Sequence, residues 1–192
     1  MPDIAGPTVV YTDGACRGNP GPGGWAWAVP GGRWASGADP GTTNQRMEII
    51  AALEAVRSHD GAVHIVSDST YVVNCFNDRW WQGWIARGWK NSKKEPVANR
   101  DLWEPFVELV RSREGTSGAV TFEWVKGHSG DPNNDLVDRL AVKASQSGVG
   151  DSGDGPPNAS QLAEPDRPGS RRAAIPAAPA ADSSASPVDR RA

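Results

Sequence analysis

Four acidic residues are spaced along this chain so that a fold could bring them together. Asp13 and Asp68 each follow an apolar run of strand type, while Glu48 and Asp138 lie in stretches with helical spacing. Carboxylates that lie close together repel one another and raise each other's pKa unless a cation is present. Oxygen ligands are what Mg²⁺ prefers, and two such ions about 4 Å apart suit phosphoryl displacement. The four acids therefore predict a metal-dependent phosphodiester site.

Each acid also has a purely structural explanation when it is taken alone. Asp13 precedes a glycine and could form a turn, and Glu48 could be a first-turn acid that the helix dipole favours. Asp68 could cap the helix that follows it, and Asp138 could lie on a solvated helix face. The prediction of a site therefore depends on the four residues converging.

The order of the predicted elements favours that convergence. Residues 8–12 form a strand that Asp13-Gly14 ends, and residues 25–29 and 33–36 continue it as an antiparallel meander. Thr42 or Thr43 can cap a helix that runs to residue 56, and residues 62–67 form the next strand. A strand, helix and strand joined in this way favour a parallel pair with a right-handed crossover. Asp13 and Asp68 should then lie at the same edge of the sheet.

The rest of the chain divides into a folded part and a tail. Helical patterns cover residues 69–76, 78–86, 99–113 and 133–145, and residues 120–124 form a further strand. We therefore predict one α/β domain over residues 1–145, with a five-stranded mixed β-sheet flanked by α-helices. Residues 146–192 are rich in Ala, Pro, Ser and Arg and carry few branched aliphatic side chains, so we predict that this tail is disordered.

Composition limits the classes of function. The net charge of −3 argues against a surface that binds polyanions everywhere, but residues 78–100 are basic and contain Trp80, Trp81, Trp84 and Trp89. We call residues 78–100 the basic protrusion. The start of the chain resembles no signal peptide, and no run approaches the roughly 20 apolar residues that span a bilayer. We expect a cytoplasmic monomer with reduced cysteines and no membrane role.

The motifs of the chain closely resemble those of the type 1 ribonuclease H family, in order and over residues 8–145. They are Thr12-Asp13-Gly14-Ala15-Cys16, Gly18-Asn19-Pro20-Gly21-Pro22-Gly23-Gly24, Thr43-Asn44-Gln45-Arg46-Met47-Glu48, Ser67-Asp68-Ser69-Thr70-Tyr71-Val72, Arg87-Gly88-Trp89-Lys90, Asp101-Leu102-Trp103, Trp124-Val125-Lys126-Gly127-His128 and Asp138-Arg139-Leu140-Ala141.

The resemblance implies the ribonuclease H-like fold and endonucleolytic hydrolysis of the RNA strand of RNA/DNA hybrids, leaving 5′-phosphate and 3′-hydroxyl ends. Asp13, Glu48, Asp68 and Asp138 match the family's four metal-binding carboxylates, which hold two Mg²⁺ ions per site, with Mn²⁺ as an alternative. His128 matches a loop histidine that assists proton transfer or product departure. The cellular role implied is removal of primers and R-loops.

The resemblance also implies a set of substrate contacts. Cys16, Asn19, Asn44 and Gln45 match minor-groove contacts, and the glycines near Asp13 would let the RNA strand approach it. The basic protrusion would hold the DNA strand, with Trp81 or Trp84 packed on a sugar and Lys90 among its cations. Thr43 and Asn99 match the positions that build a phosphate pocket.

Two other functions fit parts of the sequence. A hybrid-binding module that has lost catalysis would not need the complete set of four acids with His128. A DNA nuclease or strand-transfer enzyme of the same fold would need three acids but not the protrusion. Asp131 and Asp135 depart from the family pattern, which often has histidine and glutamate there, and either carboxylate could tune metal binding.

Overall fold

The computed structural model describes residues 6–163 and has one six-stranded mixed sheet in the order β5-β4-β1-β2-β3-β6. The strands are β1 (Thr8–Cys16), β2 (Gly21–Ala28), β3 (Trp34–Thr42), β4 (Val63–Ser67), β5 (Val120–Trp124) and β6 (Asp151–Gly153). Strands β1, β2, β3 and β6 pair antiparallel, whereas β1, β4 and β5 pair parallel. The predicted meander and the predicted parallel pair of β1 and β4 are both confirmed.

Six helices pack on this sheet or continue from it. They are α1 (Asn44–Arg57), α2 (Thr70–Asn77), α3 (Trp80–Ala86), α4 (Arg100–Arg113), α5 (Pro132–Ser147) and α6 (Ala159–Leu162). Helix α1 begins where Thr43 accepts a hydrogen bond from the backbone N–H of Arg46, so Thr43 is the cap rather than Thr42. Asp131 caps α5 in the same way, through the backbone N–H groups of Asn133 and Asn134.

Strand alternation divides the core between the two faces of the sheet. Val10 and Trp27 point into a large apolar cluster with α1, α2, α3 and α4, whereas their neighbours Tyr11, Ala26 and Ala28 point into a smaller cluster with α5. Successive side chains of a strand face opposite sides, so β1 and β2 contact both layers at once. The two strands therefore fix the positions of α1 and α5 relative to each other.

Two buried glycines allow these helices to approach the sheet closely. A methyl group on Gly14 would collide with the backbone N of Glu48, and one on Gly24 would collide with the carbonyl oxygen of Ala141. Both glycines are buried under the helices and are not open to a ligand. For these two positions the expectation that the glycines expose the backbone to RNA is therefore wrong: they admit the helices that carry Glu48 and Asp138.

The segment after α5 departs from the sequence prediction. Strand β6 adds a sixth strand to the predicted five by pairing with residues 34–36 of β3, and α6 follows it. We call residues 148–163 the C-terminal extension. Leu162 packs against the smaller apolar cluster, and Lys143 Nζ donates to the carbonyl oxygens of Ser160 and Gln161 at 3.0 and 2.7 Å.

The predicted disorder is thus wrong for the C-terminal extension. The segment has few apolar residues, but pairing with β3 and the contacts with α5 stabilise its structure. Residues 164–192, the rest of the predicted tail, lie outside the described residues.

Replacing Leu162 with alanine tests whether the extension is part of the folded domain. We expect Leu162→Ala to lower the free energy of unfolding by about 1 kcal/mol, less than the 2–5 kcal/mol of a fully buried leucine, because Leu162 is only half-buried. Val149→Ala is the matched control, since Val149 is 67% exposed in the same segment. Urea unfolding midpoints measure both, and equal midpoints for the two variants would contradict a docked extension.

Candidate active site

Asp13 and Asp68 lie next to each other at one edge of the sheet. The register pairs Thr12 of β1 with Ser67 of β4, which puts the two following aspartates side by side. Strand β1 does not end at Asp13 but continues to Cys16, so Asp13 is held inside a paired strand and is only 7% exposed. Its carboxylate accepts a hydrogen bond from the backbone N–H of Gly14 at 2.7 Å. The predicted juxtaposition of the two acids is present in the fold.

Glu48 reaches the same place from the start of α1. Its carboxylate accepts hydrogen bonds from Asn44 Nδ2 at 2.7 Å and from Ser69 Oγ at 2.6 Å. Ser69 also caps α2 by accepting from the backbone N–H of Val72, so the cap of that helix is Ser69 and not Asp68. Asp68 is therefore free of the structural role that could have explained it.

Asp138 approaches Asp13 from α5, on the opposite face of the sheet. The charge of Asp138 acts on Asp13, and His128 lies near enough to act on Asp138. Thus Asp13 lies between an acid from each helix layer and the neighbouring strand acid Asp68.

Burial and mutual repulsion raise the pKa values of Asp13, Glu48 and Asp138. Burial, followed by the charges of Asp68, Asp138 and Glu48, raises the pKa of Asp13 to about 8. Burial also raises the pKa of Glu48, although the hydrogen bond from Ser69 opposes the shift. Burial raises the pKa of Asp138, and the nearby His128 opposes that shift.

This donor set fits a hard divalent cation, because it consists of oxygen atoms whose negative charges are poorly compensated by the protein. Within residues 6–163, no three Asp, Glu, His or Cys side chains form a ready-made metal cluster. An open arrangement suits Mg²⁺, which keeps several of its waters and takes only one or two carboxylates directly.

Asp68 is held from several sides by residues to which the sequence analysis assigned no individual role. Trp124 Nε1 donates to the backbone carbonyl of Asp68 at 3.0 Å, and the Cα of Gly127 packs against the Asp68 carboxylate. Asn134 is 2% exposed, and its Nδ2 makes a long contact of 3.5 Å with Asp68 Oδ2. Asn134 Oδ1 is buried and has no partner among the described residues. The motif that contains Trp124 was the one sequence feature that indicated a contribution of β5 to this site.

His128 lies on the exposed loop between β5 and α5. Its backbone has a left-handed conformation, with φ of 51°, and the side chain is near enough to affect Asp138. Asp131, which departs from the family pattern, caps α5 and accepts from the Tyr11 hydroxyl at 3.3 Å. Asp131 therefore has a structural task, while Asp135 lies in the first turn of α5 and adds its charge near Asp138.

The predicted minor-groove contacts gather where β1 ends and α1 begins. Asn19 Oδ1 accepts from the backbone N–H of Asn44 at 3.3 Å, and Cys16 Sγ lies 3.4 Å from the carbonyl oxygen of Thr42. Gln45 is exposed on the first turn of α1, beside the cap residue Thr43. The fold brings these residues together beside Glu48.

The predicted phosphate pocket contains a cation that the sequence analysis missed. Arg46 Nη1 donates to Asn99 Oδ1 at 3.3 Å, and the backbone N–H of Arg46 donates to Thr43. The guanidinium also makes a two-point ion pair with Asp101, at 2.9 and 2.7 Å. Thr43 and Asn99 thus meet through Arg46, whose charge is partly engaged by Asp101.

Of the two tryptophans predicted to pack on a sugar, Trp81 is buried and Trp84 keeps part of its surface accessible. Trp81 is 7% exposed and packs in the large cluster under Arg111, so it offers no free surface to a sugar. Trp84 is half-buried against Trp89 and Trp103, while Trp80 is 37% exposed. Lys90 is exposed, as are Lys93 and Lys94. On α3 the indoles with accessible surface are therefore Trp80, the most exposed, and Trp84.

No helix in the described part of the chain is both long enough and apolar enough to cross a membrane.

Comparison with known proteins adds an independent line of evidence. The family model described as RNase H matches residues 6–146. A protein from Syntrophomonas wolfei named Ribonuclease H is 46% identical over 145 residues, which cover 72% of this chain and 96% of the relative. A protein of the same name from Moorella thermoacetica is 46% identical over 142 residues, covering 70% of this chain and 89% of the relative.

Solved structures agree with this match. LC9-RNase H1, described as a type 1 RNase H with the type 2 active-site motif, is 34% identical with a TM-score of 0.61, covering 76% of each chain. A foamy viral protease-reverse transcriptase in complex with dsDNA has a TM-score of 0.62 at 24% identity, covering 77% of this chain and 99% of that one, and supports the fold alone.

The raised pKa of Asp13 predicts how stability depends on pH without metal. Because the pKa of about 8 in the folded state lies above the ordinary 3.8, the contribution of Asp13 is complete below about pH 4 and is lost as pH rises toward 8. Asp13→Asn removes the buried charge, so in chelator this variant should be more stable than the native chain at pH 8. Urea unfolding from pH 5 to 8 measures the difference, and parallel pH profiles for the two proteins would contradict it.

Proposed function

Since this chain belongs to the type 1 ribonuclease H family, we propose that it hydrolyses the RNA strand of RNA/DNA hybrids with two Mg²⁺ ions, leaving 5′-phosphate and 3′-hydroxyl ends. The observation that carries the proposal is the convergence of three carboxylates on Asp13, whose pKa is about 8 partly because those three repel its charge. Such a site is costly for the protein alone and favourable once cations enter it.

Asp13, Glu48, Asp68 and Asp138 would hold the metal ions, with Mn²⁺ as a substitute. Bound ions would supply a lowered pKa for the attacking water and charge stabilisation for the departing oxygen. Asp13 would be central to holding them, because Glu48 and Asp138 approach it from opposite faces of the sheet. Hydrogen bonds from Asn44 and Ser69 hold the Glu48 carboxylate in one orientation.

We assign proton transfer near the scissile bond to His128. Attack of water on phosphorus breaks the bond to the 3′ oxygen, which must gain a proton to leave as a hydroxyl. His128 is exposed on a loop beside Asp138, so its imidazole can reach solvent and the site alike. Gly127 seats that loop against Asp68, which links the position of His128 to that of a metal-binding acid.

The remaining predicted contacts would recognise the hybrid. Cys16, Asn19, Asn44 and Gln45 lie together beside Glu48 and would face the minor groove, where RNA displays its 2′-hydroxyls. Arg46, with Thr43 and Asn99, would bind a phosphate of the DNA strand in competition with Asp101. Trp80 or the half-buried Trp84 would offer an indole to a sugar, and the exposed Lys90 would add a positive charge on the protrusion.

Removal of primers and R-loops by a monomer in the cytoplasm belongs to the same proposal. The support for this role is the family membership, together with the predicted hybrid contacts beside Glu48 and on the basic protrusion.

Cleavage of an end-labelled RNA/DNA hybrid tests the proposed function. We expect cutting of the RNA strand only, dependent on Mg²⁺ and lost by at least about 10³-fold in Asp68→Asn, because the lost charge weakens both metal binding and transition-state stabilisation. Duplex RNA, duplex DNA and chelator are the controls. Binding of the hybrid without cutting would favour the binding module, and cutting of duplex DNA would favour the DNA nuclease.

Adjacent tryptophans provide a matched pair for the protrusion. Trp80→Ala should raise the KM for hybrid several-fold with little loss of stability, because the indole is 37% exposed. Trp81→Ala should instead lower the free energy of unfolding by about 3–5 kcal/mol, because it empties a core position. Steady-state kinetics and urea unfolding separate the two effects, and the reverse pattern would show that the protrusion uses Trp81.

A further inference from the structure

The C-terminal extension forms one wall of a cavity beside Asp138. The cavity has a volume of about 370 Å³, with one wall from α5 and another from the end of the extension. Its lining residues are Asp138, Arg139, Val142, Lys143, Leu162 and Ala163. The extension lies beyond residue 146, where the match to the family model ends, so this wall is not part of the matched domain.

The wall from the extension is fixed at both of its ends. Pairing of β6 with β3 holds its start, and the ammonium group of Lys143 holds its end through the carbonyl oxygens of Ser160 and Gln161. A cation near the last carbonyls of a helix is favourable, because those groups lack partners within the helix. Leu162, which directly follows the second anchor, packs against the smaller apolar cluster. These contacts therefore fix the shape of the cavity.

The charge of the lining favours an anion when Asp138 is occupied by a cation. Lys143 is bound by neutral carbonyl oxygens, which do not cancel its charge. Neither Lys143 nor Arg139 takes part in the ion pairs found among residues 6–163. The negative group of the lining is Asp138, which the proposed function assigns to metal. Two cations then face a space next to the reacting phosphate.

We propose that this cavity is a phosphate subsite that holds a backbone phosphodiester of the bound strand next to the scissile position. Arg139 is the principal ligand, since its guanidinium can donate two parallel hydrogen bonds to phosphate oxygens. Lys143 adds charge and keeps the extension in place. The inference rests on the proposed function, because it assumes that Asp138 holds metal and that the substrate is an RNA/DNA hybrid.

Charge substitutions in the full-length chain test the subsite. Arg139→Gln should raise the KM for hybrid several-fold, leave kcat within about twofold, and reduce the slope of log KM against log salt by about 1. Ala163→Asp should also raise the KM, because it puts a carboxylate into the wall, whereas the uncharged Ala163→Asn should not.

Arg57→Gln, at the other end of α1 from Glu48, controls for loss of a distant positive charge. Urea unfolding of each variant checks that it folds.

The outcomes separate the subsite from the proposed function. A native KM and a native salt slope in both Arg139→Gln and Ala163→Asp, in a chain that cuts hybrid, would overturn the subsite alone. A native chain that neither binds nor cuts hybrid would overturn the proposed function and the subsite with it. Inorganic phosphate is added in a separate arm. If it raises the KM of the native chain but not that of Arg139→Gln, the free anion and the strand compete for the cavity, as the subsite requires. Phosphate that binds the native chain but not Arg139→Gln, and leaves the KM unchanged, would show that the cavity takes the free anion and not the strand.

Discussion

Electrostatic repulsion around Asp13 is the constraint on which the rest of the structure depends. A buried carboxylate with three acids near it is unfavourable in the protein alone, and burial makes the repulsion stronger by lowering the local dielectric. The site therefore exists only because the sheet and two helix layers hold its members against their repulsion. Strand pairing fixes Asp13 and Asp68, while close packing on β1 and β2 brings in the acids of α1 and α5.

The way in which the acids are held has a consequence for cation binding. Glu48 and Asp68 are anchored by neutral donors, among them Asn44, Ser69 and Asn134. A neutral donor orients a carboxylate but leaves its charge available, whereas an ion pair with lysine or arginine would compete with a metal. Arg46 lies only two residues before Glu48, yet its guanidinium pairs with Asp101 on α4. The fold thus keeps the charge of Arg46 engaged with Asp101 and not with Glu48.

Much of this arrangement could be predicted from the sequence, because it follows from local patterns. The apolar strands, the Thr43 cap and the crossover rule were enough to bring Asp13 and Asp68 together. The exposed side of α3 could not be predicted, since the helix begins after Arg79, whose left-handed backbone sets its rotation. Trp81, one of the two predicted sugar contacts, therefore lies in the core, while Trp80 is exposed. The C-terminal extension was missed because its stability comes from pairing with β3 and from Lys143, contacts that its own composition does not reveal.

Strand β6 also changes what the sheet offers to other chains. An edge strand presents unpaired backbone donors and acceptors that can template association with another chain. Strand β3 has nine residues, and β6 covers its first three with a strand of only three residues, Asp151–Gly153. Short edges that carry a charge are poor templates for further strand addition. The extension therefore makes this side of the sheet less prone to edge-to-edge aggregation, an advantage that is independent of catalysis.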